Sequence, residues 1–131
     1  MPLSAKTMQP LFLVAAGGAI GAAARYGVGT AALRLFGPGV PWGTLAVNLA
    51  GGFAMGVLAG TIPADARGTS LRLLLAVGLL GGFTTFSAFS LEVVLMLERG
   101  EIGSALLYAA ASVMGAVLLL WAGLHAARLA A

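Results

Sequence analysis

Apolar residues in this chain neither alternate nor recur along a single face. They run in four long stretches, at about residues 11–35, 44–62, 71–97 and 102–129. A helix needs about 20 such residues to cross a hydrocarbon core of about 30 Å, so each stretch predicts a membrane span. The segments between them carry turn and breaker residues: Gly37-Pro38-Gly39-Val40-Pro41, Pro63-Ala64-Asp65-Ala66-Arg67-Gly68 and Glu98-Arg99-Gly100-Glu101. Lys6 ahead of the apolar run 11–24 has the form of a secretory signal. That run resumes beyond Arg25 and Tyr26 as far as Leu33, however, so it reads as the first span. The pattern predicts an all-α membrane protein, a single four-helix transmembrane domain over residues 1–131, with no internal repeat.

Composition supports the bilayer as solvent. The chain is 60% apolar and 8% charged, and its mean hydropathy is +1.04. Soluble domains carry about 25% charged residues. The net charge is +3, but the seven basic residues form no cluster, which argues against a nucleic-acid partner. Cysteine is absent, so disulfides and thiolate chemistry are excluded. Four spans place both termini on one side, together with Lys6, Arg67, Arg72 and Arg128. Arg34 and Arg99 fall on the other side, with Arg25 nearer to it. Orientation normally follows a Lys/Arg excess in cytoplasmic loops. Four against three leaves two readings open, insertion in both orientations or one weakly biased topology. Runs such as Gly17-Gly18-Ala19-Ile20-Gly21-Ala22 and Gly51-Gly52-Phe53-Ala54-Met55-Gly56 allow close helix approach. They fit packing within one chain, or a compact oligomer with sites near its interface.

Polar residues at membrane depth are costly and are candidates for function. Here they are Arg25, Asn48, Thr84, Thr85, Ser87, Ser90, Tyr108 and Ser112. All but Arg25 are neutral hydrogen-bond donors, and the nearest carboxylate, Glu92, lies past the middle of the third span. Cation pathways usually show a buried carboxylate, so this set suits a small anion better. A single Ser or Thr commonly bonds back to its own helix. The densest stretch is Gly81-Gly82-Phe83-Thr84-Thr85-Phe86-Ser87-Ala88-Phe89-Ser90. Its glycines and β-branched threonines are poor helix formers, which predicts a break in the third helix, the alternative being an intact helix with a glycine notch. Phe86 and Phe89 share a face with Phe83 a further three residues back. A phenyl edge is positive and can meet an anion. Phe89 is expected to be the cleaner probe of ion contact, because Phe86 lies closer to the expected break at Gly81–Thr84.

These motifs together resemble the Fluc/CrcB family of fluoride channels. The resemblance runs through Gly17 to Tyr26, Trp42 to Phe53, Gly81 to Phe89, and Tyr108 with Ser112, in order. It implies an antiparallel, dual-topology homodimer with two pores in a prokaryotic plasma (inner) membrane. It further implies that Phe86 and Phe89 give aromatic edges, Asn48 donates its amide to the ion, and Tyr108 and Ser112 continue a polar track. Thr85 and Ser87 add hydroxyls, and Arg25 lies toward a vestibule as an attractor of anions. A structural Na+ on the dimer axis is implied, held by backbone carbonyls of Gly81 and Thr84. Ala88 and Ala116 depart from the family pattern, and the second shortens the polar track. Fluoride is small and strongly hydrated, so neutral donors and ring edges replace part of its water without trapping it. No nucleotide site or mid-membrane proton relay is visible, and no catalytic set marks an enzyme. The alternatives are a small proton-coupled multidrug exporter, which needs an embedded carboxylate in the first helix, and a non-transporting assembly subunit.

Overall fold

The computed structural model describes residue 2 and residues 4–131, and it is helical almost throughout. The first helix is Ala5–Phe36, the second Trp42–Thr61 and the fourth Ile102–Ala130. Between the second and fourth lies a third span, Ala66–Glu98. All four are long and apolar enough to cross a bilayer. Each expected stretch thus appears as a span, lengthened by up to six residues at the N-terminal end, where polar residues begin the helix.

Glycine ends two of these helices. Gly37 takes φ 74° and returns its N–H to the Leu33 carbonyl. Gly100, at φ 79°, closes the third span. Its N–H reaches the Leu97 carbonyl at 3.0 Å while the Glu101 N–H reaches Met96 at 2.9 Å. This paired closure satisfies carbonyls that a helix end otherwise leaves bare, and the Arg99–Glu101 ion pair lies beside it. At the opposite membrane face Asp65 accepts from the Arg67 N–H and guanidinium. Those Arg67 contacts hold its carboxyl below the usual carboxylate range.

The third span is not uniform. A short 3-10 turn and one α turn lead into Arg72–Leu80, which is wound as a π-helix. After one α turn, Gly81–Phe83, the backbone is extended at Thr84 (φ −88°, ψ 156°) and Thr85 (φ −151°, ψ 122°). Helix resumes at Phe86–Glu98.

Packing proceeds backbone to backbone. The second and fourth helices make the broadest contact, followed by the first helix against the π-wound segment. A Cβ on Gly56 would collide with the Leu120 carbonyl, and one on Gly123 with that of Phe53. The first helix meets the third span the same way, with Gly21 against the Leu79 carbonyl. Without a hydrophobic drive between helices in lipid, such contact is what dispersion attraction requires. The buried core is small: Val47, Leu80, Met96, Ala105 and Ala127, with Phe89 and Tyr108. In the most apolar stretch of each span, only 11% to 22% of the residues are buried within the chain.

Gly56→Ala should therefore lower stability by about 1–3 kcal/mol, the usual cost of overpacking. Gly27→Ala, with open space around it, should be neutral or mildly stabilising. Thermal unfolding in detergent reads both, and equal midpoints for the two variants would contradict the packing.

Candidate functional site

The extended pair Thr84–Thr85 organises the site. Peptide groups leaving helical geometry at membrane depth must find partners within the protein. Asn48, on the second helix, supplies them. Its Oδ1 accepts the Thr85 N–H at 2.8 Å, and its Nδ2 donates to the Thr85 carbonyl at 3.0 Å. The Thr85 hydroxyl accepts the Ala88 N–H at 3.1 Å, capping the resumed helix. Thr84 bonds back to the Leu80 carbonyl through both its N–H and its hydroxyl. From the first helix, Arg25 Nε donates to the Gly82 carbonyl at 3.1 Å.

Beside this junction a cavity of about 390 Å³ is lined by Asn48, Thr85, Phe86, Phe89 and Ser112 among others, with no charged side chain. The Ser112 hydroxyl is buried and has no hydrogen-bond partner among the described residues. Thr85 also borders a second cavity, of about 320 Å³, with Arg25, Thr30, Thr44 and Glu92. Thr44 and Glu92 in turn border a third, of about 330 Å³, under the Gly37–Pro41 loop.

An aromatic row leads away from the first of these cavities. Phe86 and Phe89 have centroids 5.5 Å apart, and Phe89 and Tyr108 5.4 Å. The two phenylalanines are not equivalent. Phe89 is 8% exposed and packs with Met96, Ala105 and Tyr108, whereas Phe86 is 75% exposed. The expected ranking of probes therefore reverses: replacing Phe89 disturbs the core, and Phe86 is the cleaner position. Phe83 lies before the extended pair and does not continue the row.

Sequence reasoning brought Asn48, Thr85, Phe86, Phe89 and Ser112 to one place, and the structure joins them in one cavity. Tyr108 lies behind Phe89 instead. Asn48 borders the cavity, with its oxygen and one amide N–H engaged by Thr85 and its second N–H left over. Ser87 is exposed and 3.4 Å from the Thr85 hydroxyl. Ser90 bonds back to Phe86, as a lone serine commonly does. The missed residues are Glu92 and Thr44. Glu92 accepts from the Thr44 hydroxyl at 2.7 Å and from Tyr108 at 2.6 Å. Its spacing was a usable signal, since 86, 89 and 92 form one row at intervals of three.

Four apolar spans around neighbouring cavities, one of them with a polar lining of neutral groups, define a multi-pass membrane protein built to handle a small solute. Residues 12–124 match the family model described as "CrcB-like protein, Camphor Resistance (CrcB)". The chain is 58% identical to a protein of Phenylobacterium zucineum named "Fluoride-specific ion channel FluC", over 92% of this chain and 97% of that one. It is 52% identical to the protein of that name from Caulobacter vibrioides, over 92% and 97%, and 54% to that from Chelativorans sp., over 92% and 98%. The chain belongs to the CrcB family.

Asn48→Leu should strand both polar groups of the Thr85 peptide, at a cost of about 1–3 kcal/mol for each. Thermal unfolding of the purified variant measures this. An unchanged midpoint would mean that Thr85 finds other partners.

Proposed function

We propose that this protein is a fluoride-selective channel that lets fluoride leave the cell passively and so relieves its toxicity. The observation that carries the reading is the cavity beside Thr84–Thr85. Its polar lining consists of neutral groups, and one of them, the buried Ser112 hydroxyl, has no partner among the described residues. The resumed helix also starts there. Its first N–H groups lack intrahelical acceptors, and a half-helix N-terminus in a membrane favours an anion. Relatives at 52% to 58% identity bear the name of a fluoride-specific channel, and channels of that kind are not enzymes.

The pathway we assign runs past Asn48, Thr85, Phe86, Ser87, Phe89, Tyr108 and Ser112. Asn48 has one amide N–H beyond the one given to Thr85, and that is the donor available to an ion. The Phe86 ring borders the cavity, and its edge would supply positive ring hydrogens. The interruption at Thr84–Thr85 serves as the break in the third helix.

The working unit we propose is an antiparallel, dual-topology homodimer with two pores in the inner membrane. The near balance of basic residues supports it, as does the small share of residues in each span that the chain itself buries. A structural Na+ between the copies fits the backbone here. The Thr85 N–H goes to Asn48 and the Ala88 N–H to the Thr85 hydroxyl. The carbonyls of Gly81 and Thr84 thereby lose the donors a continuous helix would give them. Two such carbonyls from each copy would hold the cation.

Purified protein in liposomes should release fluoride while retaining chloride. Phe86→Ile should cut fluoride efflux about tenfold or more while the size-exclusion profile stays that of the wild type, since bulk is kept and the positive edge is lost. Chloride leaving as fast as fluoride would remove the selectivity. Efflux that stops when a proton gradient is collapsed would favour an exporter using Glu92.

A reporter fused to the C-terminus should read both sides of the membrane, as expected when the Lys/Arg bias is near zero. A one-sided signal from a functional fusion would sink the antiparallel dimer.

A further inference from the structure

The first helix presents Gly18, Gly21 and Arg25 along one face, at helical spacings of three and four. Gly82 packs directly against this face: a Cβ there would lie 3.1 Å from the Gly18 Cα and 3.2 Å from the Ala22 nitrogen. Backbone contact therefore fixes the depth of the last helical turn before Thr84–Thr85. One turn beyond Gly21, Arg25 reaches the Gly82 carbonyl through Nε at 3.1 Å. In a continuous helix that carbonyl would accept the Phe86 N–H. Extension at Thr84 and Thr85 carries Phe86 away and leaves the carbonyl needing another donor. Thr85 is held from the second helix by Asn48, and Gly82 from the first by Arg25.

We infer that Arg25 is a positioning residue: its ε N–H pins the carbonyl end of the half-helix that precedes Thr84–Thr85, and its positive charge is not what transport requires. This rests on the channel reading and replaces the role of an anion attractor. The chemistry of the contact separates the two roles. The bonded atom is Nε, not a terminal guanidinium nitrogen. Glutamine carries its amide nitrogen at the same number of bonds from Cα, and so offers a neutral donor at that atom. Lysine keeps the charge but places a methylene there.

The experiment compares fluoride efflux from liposomes for the wild type, Arg25→Gln, Arg25→Lys and Arg25→Met, at low and high ionic strength. Size-exclusion profiles and fluoride-to-chloride ratios are measured on the same samples. Arg25→Gln should keep flux within about threefold of wild type at both ionic strengths. Arg25→Lys and Arg25→Met should lose about tenfold or more, the scale of one hydrogen bond to a charged group. Their fluoride-to-chloride ratio should also fall, because a displaced junction alters the pathway, whereas loss of a distant attracting charge would not. The inference is overturned if Arg25→Lys keeps flux while Arg25→Gln loses it, with wild-type flux falling as salt rises, since that is the behaviour of a screened attractor. It is equally overturned if all three variants match the wild type, or if Arg25→Gln fails to fold. Wild-type protein without fluoride efflux would remove the channel reading itself, and this inference with it.

Discussion

Inside a bilayer a peptide group that departs from helical geometry has no water to turn to, and each one left bare costs several kcal/mol. The bidentate embrace of the Thr85 peptide by Asn48 answers that constraint. The arrangement around it follows. Thr85 can spend its hydroxyl on the Ala88 N–H because Asn48 has taken its backbone groups. The resumed helix then starts within the third span, its N-terminal residues beside a cavity lined by Phe86, Phe89 and Ser112. A side-chain amide suits the task because it matches both a donor and an acceptor without charge.

A similar economy governs Glu92. A carboxylate at membrane depth is expensive, and here each of its oxygens accepts a hydroxyl, one from Thr44 and one from Tyr108. Tyr108 therefore faces two ways: its ring packs at a tilt against Phe89 and its hydroxyl donates to Glu92. The aromatic row and the polar cluster are thus mechanically tied, and a shift in one is felt by the other.

The four spans were legible because hydropathy is a local property and membrane thickness sets their length. The crowded third span was legible because glycine and β-branched residues weaken a helix wherever they cluster. What a residue touches across the bundle was not legible. Asn48 and Thr85 are 37 positions apart, and Thr44 and Glu92 are 48 apart. No spacing rule reaches that far. The inequality of Phe86 and Phe89 has the same origin. An interval of three fixes a shared face, but which ring is covered depends on where Met96, Ala105 and Tyr108 arrive. Arg25 was read as a charge because its reach to the Gly82 carbonyl, across 57 positions, cannot be seen in a linear chain.

The glycine contacts have a consequence for electrical insulation. A chain of waters between helices needs room for about one probe sphere per molecule and polar partners along the way. Where Gly21 meets Leu79 and Gly56 meets Leu120, carbonyl oxygens already occupy the space a methyl group would take. Those seams are too narrow for a file of water and so too dry to relay protons. A membrane that stores energy as a proton gradient can hold such a protein without leaking along those seams.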